Sequence, residues 1–247
     1  MAGFGVINAL IRPHDHIIMD YVSHNCLQEG AISATRNLKR FAHLDQEEMT
    51  RMLKETREQD PDNAILVITE GLFSMDADYP DLLYYQRVTK EYNAYLLIDC
   101  SHDFGHLGKT GKGTWELQGL KDFSNVILCG TGSKCLSTNI GFIGIRDQKV
   151  LELIRYMSGP YLNATTINPA QAAASLAQLN ILRTQEGADR REKVVENYKY
   201  LRGRLEAKGH TIIGNPCAIL PLFIGNEIIS RVVARLMMDK GVHVNGI

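Results

Sequence analysis

Val126-Ile127-Leu128-Cys129-Gly130-Thr131-Gly132-Ser133-Lys134 is the stretch on which the fold turns. Four apolar residues in a row are followed by a glycine-rich turn and then a lysine. Two other short apolar runs resemble it: 64–70, Ala-Ile-Leu-Val-Ile-Thr-Glu, and 95–99, Tyr-Leu-Leu-Ile-Asp. Continuous apolar runs of this length predict strands buried on both faces, the pattern of a parallel sheet. Helical patterns lie beside them. Gln46 to Glu58 carries Met49, Met52 and Leu53 on one face, and Pro80 to Tyr92 opens with proline and aspartate, which suit a first turn. Residues 141–146 predict a further strand, close enough to the lysine turn to be the antiparallel member of the sheet. Strands alternating with helices predict an α/β, mostly parallel sheet flanked by helices.

Beyond Pro169 the character changes. Ala170 to Leu182 is alanine-rich and helical, and Gly187 to Lys208 is a charged amphipathic helix whose basic residues form a solvated face. Residues 211–224 predict strand, turn, strand. Ile228 to Lys240 predicts a helix, and Val242-His243-Val244 the start of another strand. This divides the chain into a large domain over 1–180 and the beginning of a smaller α+β domain over 181–247. A sequence that stops inside a strand predicts a fragment of a longer protein.

The 247 residues are 45% hydrophobic and 22% charged, the balance of a globular domain, with a net charge of -1. That charge offers no electrostatic footprint for nucleic acid. No apolar run reaches the roughly 20 residues of a membrane span, and Met1-Ala2-Gly3-Phe4 does not read as a signal peptide. The five cysteines have no paired spacing, which argues against zinc and, with Cys100 and Cys129 in strands, for thiols in a reducing compartment. The expected location is cytoplasmic, with an organelle as the alternative, because a targeting segment would lie upstream of Met1.

Three residues at strand ends carry chemistry. Lys134 follows the 126–129 run, Asp99 ends the 95–99 run, and His102 stands three residues further on. A lysine for covalent attachment, a carboxylate for a pyridinium nitrogen and a histidine beside the ring together suit pyridoxal phosphate. Taken singly, each has a plainer reading. Lys134 alone would be a surface lysine, Asp99 a helix cap, His102 a satisfied core histidine and His24 a loop residue. Asp76 and Asp78 read as turn residues rather than metal ligands, and His14-Asp15-His16 as a surface turn. No metal site is expected. The glycines at 105, 108, 111 and 113 do not follow a dinucleotide fingerprint and read as turn glycines. Trp115 and the tyrosines at 84, 85 and 92 read as packing residues.

The motifs together resemble the α-oxoamine synthase family, which contains 8-amino-7-oxononanoate synthase, 2-amino-3-ketobutyrate CoA ligase, 5-aminolevulinate synthase and serine palmitoyltransferase. Thr69-Glu70-Gly71-Leu72-Phe73-Ser74-Met75-Asp76-Ala77-Asp78 is similar to the family's T-[DE]-G-x-F-S-M-D-G-D. Asp99-Cys100-Ser101-His102 with the glycines after it, and Thr131-Gly132-Ser133-Lys134, are similar to its two other signatures. The resemblance covers nearly the whole chain. It implies the fold type I architecture of PLP-dependent transferases and condensation of an amino acid with an acyl thioester, on coenzyme A or an acyl carrier protein. The product is an α-amino ketone, in most members with loss of carbon dioxide. It implies Lys134 as the attachment point, Asp99 at the pyridine nitrogen, His102 and Ser74 at the phenolic edge, and His24 stacked on the ring, able also to act on the thioester carbonyl. It further implies Thr131 at the phosphate, and Thr165 reaching the phosphate of a neighbouring subunit in a homodimer or heterodimer with shared sites.

This sequence also departs from the family pattern. Ser101 stands where alanine is usual, and Cys135 to Gly141 replaces a glycine-rich stretch. Gly3-Phe4 resembles the glycine-aromatic pair that holds the phosphate, but its distance from His24 predicts a position inside a helix, so the phosphate turn and the carboxylate-binding arginine would lie outside this segment. The alternatives to acyl transfer are an aminotransferase or lyase reaction on the same scaffold, or a non-catalytic partner subunit.

Overall fold

The computed structural model describes all 247 residues. Its main sheet has six strands: β1 (His16–Asp20), β2 (Asn37–Phe41), β3 (Ile65–Glu70), β4 (Tyr95–Asp99), β5 (Val126–Thr131) and β6 (Gly141–Ile145). Their order is β2-β1-β3-β4-β5-β6. The first five run parallel, and β6 is antiparallel to β5 with Thr131 opposite Gly141, as its short connection predicts. The helices are α1 (Ala2–Leu10), α2 (Asn25–Ala34), α3 (Gln46–Gln59), α4 (Leu82–Glu91), the short α5 (Thr114–Leu117), α6 (Gln148–Met157), α7 (Gly159–Asn163), α8 (Pro169–Leu182), α9 (Gln185–Glu206) and α10 (Glu227–Asp239).

Successive strand residues point to opposite faces, so each central strand feeds two cores. Ile17, Met19, Leu66, Ile68, Leu97 and Ile127 meet Val6 and Ile7 of α1, Leu27 and Ala31 of α2 and Ile154 of α6. Ile18, Val67, Leu96, Ile98 and Val126 meet Met49 and Leu53 of α3 and Leu82, Tyr85 and Val88 of α4. Burial on both sides is why β3 and β4 read as unbroken apolar runs. Each such side chain removed from water contributes about 1.5–3 kcal/mol, which sets the strand ends firmly enough to carry a site. Helix entries follow local chemistry. Asp45 accepts from the Glu48 amide at the start of α3, while the Glu48 carboxylate accepts from the Ala42 amide, and Asp81 caps α4 by accepting from the Tyr84 amide.

Two strands, β1 and β2, lie outside the three apolar runs. Strand β2, Asn-Leu-Lys-Arg-Phe, is an edge strand with only Phe41 buried, and its charges suit an unpaired edge. The surface-turn reading of His14-Asp15-His16 holds for His14 alone. Asp15 is buried and accepts from the Arg12 and Ala64 amides, and His16 opens β1 with its ring 2.8 Å from Asp60.

Beyond α9 the chain makes a separate two-stranded sheet, β7 (Thr211–Ile212) with β8 (Leu222–Phe223). Val242-His243-Val244 is not a strand: it follows α10 as exposed irregular chain, its valines left unburied. Cys217 is buried against Leu72, Ala77 and Leu107, and the Asn215 amide donates to the Ala77 carbonyl, so this last part presses on the loop that holds Ser74.

Candidate functional site

Parallel strands deliver their last residues to one edge of the sheet, and here that edge is acidic. Strands β1, β3 and β4 end on Asp20, Glu70 and Asp99, all buried. Glu70 is in register with Asp99, so the two carboxylates emerge side by side on the face that α2 covers. Asp99 Oδ1 accepts from the Ser101 amide at 2.9 Å and from the Ser101 hydroxyl. Burial raises the Asp99 pKa; the Ser101 bonds and the charges on His24 and Lys134 oppose the rise without cancelling it. Glu70 is pushed up to about 8, first by burial and then by Asp99, although the His24 amide donates to its Oε1 at 2.6 Å.

His24 is the N-cap of α2, and its exposed ring accepts from the Cys26 amide at Nδ1, 3.2 Å away. With Nδ1 taken up by that amide, Nε2 is the ring nitrogen left to face a ligand. His102, half-buried, is lowered to about 4 by burial and then by Lys134, His24 and His106. It is therefore a neutral hydrogen-bonding group at pH 7.

Lys134 is exposed in the loop after β5 and lines a cavity of about 560 Å³ together with His102, Phe104, Cys135, Ile181 and Arg191. His24 and Ser74 share a smaller cavity of about 230 Å³ with Glu70 and Phe73. Lys134 and His24 thus lie within electrostatic reach of both Asp99 and His102, and Ser74 joins His24. Thr131 is turned toward its own loop: its hydroxyl lies 3.2 Å from the Ile140 carbonyl and accepts from the Ser133 amide. Thr165 is exposed between α7 and α8 and lines neither cavity. Gly3 and Phe4 lie in α1, where a Cβ on Gly3 would stand 2.7 Å from Leu27, so Gly3 is a packing glycine.

Three groups escaped the sequence reading. Glu70 sits inside a quoted motif without a role. Asp103 is fully buried one residue past His102; its carboxylate accepts from the Thr114 amide at 2.6 Å and fills the space that Gly71 and Gly113 leave open. The Thr114 hydroxyl donates to the Gly71 carbonyl, so the glycine loop is locked to the end of β3. Four glycines of that loop, at 105, 108, 111 and 113, have positive φ, which confirms their turn role. The third is His43, in a polar stretch with no motif around it. For Asp103, the available signal was an acid four residues after Asp99 in a glycine-rich segment.

Residues 2–247 match the family model of aminotransferase class I and II. The chain is 32% identical over 247 residues to an 8-amino-7-oxononanoate synthase of Salmonella arizonae, covering 100% of this chain and 62% of that protein. It is 30% identical over 248 residues to a 2-amino-3-ketobutyrate coenzyme A ligase of Escherichia coli, covering 99% of this chain and 61% of the relative. Among solved structures it superposes on serine palmitoyltransferase from S. paucimobilis with a bound PLP–myriocin aldimine, with a TM-score of 0.90 and 26% identity, over 99% of this chain and 63% of that one. A serine palmitoyltransferase of Sphingomonas wittichii gives a TM-score of 0.88 at 25% identity, over 99% of this chain and 60% of that one. The fold is that of the fold type I transferases. The chain belongs to the aminotransferase class I and II family, and it spans about 62% of the length of the curated relatives it matches.

Proposed function

We propose that this chain is the cofactor-binding part of a pyridoxal-phosphate-dependent enzyme that condenses an amino acid with an acyl thioester, giving an α-amino ketone and a free thiol. The carrying observation is the convergence on Asp99: a buried carboxylate at a strand end, held at one oxygen by Ser101, with Lys134 and His24 in electrostatic reach of it. The residues suit the group. Ser101 occupies Asp99 Oδ1, which leaves Oδ2 for a protonated ring nitrogen, and a cation there relieves the cost of burying the charge. The similarity to 8-amino-7-oxononanoate synthases and 2-amino-3-ketobutyrate CoA ligase supports acyl transfer over the other reactions of the scaffold.

When bound, pyridoxal phosphate supplies a positively charged heteroaromatic ring that accepts the electron pair left at a substrate α-carbon. Lys134 would hold the cofactor covalently, and its amine, when free, would be the base placed to take the substrate α-proton. Asp99 keeps the ring nitrogen protonated, because an opposite charge favours the charged form. His102 and Ser74 would bond the phenolic edge, and a neutral His102 would do so without adding a positive charge there. His24 would cover the ring face and could act through Nε2 on the thioester carbonyl. Thr131 binds the phosphate, and Thr165, on its exposed stretch, reaches the site of a neighbouring subunit, so two chains share their sites. The five free thiols suit a cytoplasmic setting, and no helix is long and apolar enough to cross a membrane.

The test uses the full-length protein loaded with pyridoxal phosphate. Borohydride reduction and peptide mapping are expected to place a pyridoxyl group on Lys134, and Lys134→Ala to abolish it. Incubation with single amino acids and acyl-CoAs is then expected to release thiol. Keto acid without thiol would assign an aminotransferase instead, and an adduct away from Lys134 would overturn the site.

A further inference from the structure

The His43 ring is held at both nitrogens. Nδ1 lies 3.0 and 3.1 Å from the two oxygens of Asp20, and Nε2 lies 3.1 and 3.2 Å from those of Asp78. Asp76 adds a third carboxylate at 4.0 Å. An ionised carboxylate only accepts, so both ring nitrogens donate and the ring is an imidazolium. Burial works against that charge, but the bonds to Asp20 and Asp78 prevail and raise the group to about 10. The ring also stands edge-on to Phe73, with centroids 4.6 Å apart at 86°.

What His43 joins gives it a purpose. Asp20 ends β1 and accepts from the Val22 amide, opening the turn that leads to Ser23 and His24. It also accepts from the amide of Leu44, a residue at φ 57. On the other side, Phe73 and Asp78 close the loop that carries Ser74: the Phe73 amide donates to the Asp78 carbonyl and the Ala77 amide to the Phe73 carbonyl. The two segments line the same small cavity, and His43 is a charged bridge between them.

We propose that His43 is a positioning residue: bridging Asp20 and Asp78, it fixes the Ser74 loop against the His24 turn and so sets how firmly Ser74 holds the cofactor. This rests on the reading of Ser74 as a cofactor contact.

The test variant is His43→Gln in the full-length protein. A glutamine amide donates in one direction only and turns its carbonyl toward the second carboxylate, so one arm of the bridge is lost. In wild type, ¹⁵N NMR is expected to show both His43 nitrogens protonated at about pH 8, where an ordinary histidine is neutral. In the cofactor-free variant, amide hydrogen exchange over 73–78 is expected to accelerate about tenfold or more, the loss of a charged tie. Pyridoxal phosphate binding, followed by absorbance, is expected to weaken about 3–10-fold, the worth of one hydrogen bond. Combining His43→Gln with Ser74→Ala should weaken binding no further than the worse single variant. Unchanged exchange over 73–78 overturns the bridge, and multiplicative penalties overturn its action through Ser74. If wild type binds no pyridoxal phosphate, the functional reading fails while the exchange result still judges the bridge. Should His43→Gln not fold, Asp78→Ala cuts one arm with the same outcomes.

Discussion

Replacing Glu70 by glutamine tests whether the Glu70–Asp99 pair holds one negative charge or two. Glu70 and Asp99 face the same side of adjacent strands, and burial, followed by the Asp99 charge, raises Glu70 from 4.5 to about 8. In the unfolded chain a glutamate loses its proton near 4.5, so between that pH and about 8 the folded state holds more protons. Stability therefore falls as pH rises through this window. At about 1.4 kcal/mol per pKa unit, the loss is on the order of 3–5 kcal/mol once Glu70 is ionised. Glu70→Gln keeps an oxygen for the His24 amide, which donates at 2.6 Å, and cannot ionise. Urea denaturation of the cofactor-free protein at about pH 5, 7 and 9 reads the difference. Variant and wild type are expected to match at the low end, with the variant ahead by a few kcal/mol at the high end. Parallel pH profiles would refute the reasoning, since they would mean that Glu70 ionises equally readily in both states.

Gly71→Ala places a Cβ 2.2 Å from Asp103 Oδ2, an oxygen that the Thr114 amide already holds inside the protein. Overpacking together with a disturbed charged hydrogen bond is expected to cost about 2–5 kcal/mol, seen as a lower melting temperature; an unchanged melt would mean that Asp103 moves freely. Asp99→Asn preserves an acceptor for Ser101 but removes the negative charge. It is expected to weaken pyridoxal phosphate binding about 10–100-fold in an absorbance titration, and equal affinity would separate Asp99 from the ring nitrogen.

Much of the sheet was legible because β3, β4 and β5 are buried on both faces and are apolar in an unbroken run up to their C-terminal ends. Strand β2 was not, because an edge strand needs only one buried residue and tolerates Lys39 and Arg40. The site divides along a similar line. Lys134, Asp99 and His102 stand out because reactive side chains at or just beyond an apolar run interrupt a local pattern. Glu70 stood in plain view after β3, yet its protonation depends on Asp99, which the register of β3 with β4 brings alongside. His43 had no local mark at all: its bonds reach 23 residues back and 35 forward.

The sequence by itself determined three of the four strands buried on both faces, most of the turns between them, and the reactive groups at their ends, since hydrophobic periodicity and turn chemistry act between near neighbours. The tertiary structure alone decided which groups meet, how deeply each is buried and hence which carry charge. Desolvation and Coulomb energy depend on distance through space, and strand register and loop packing set that distance.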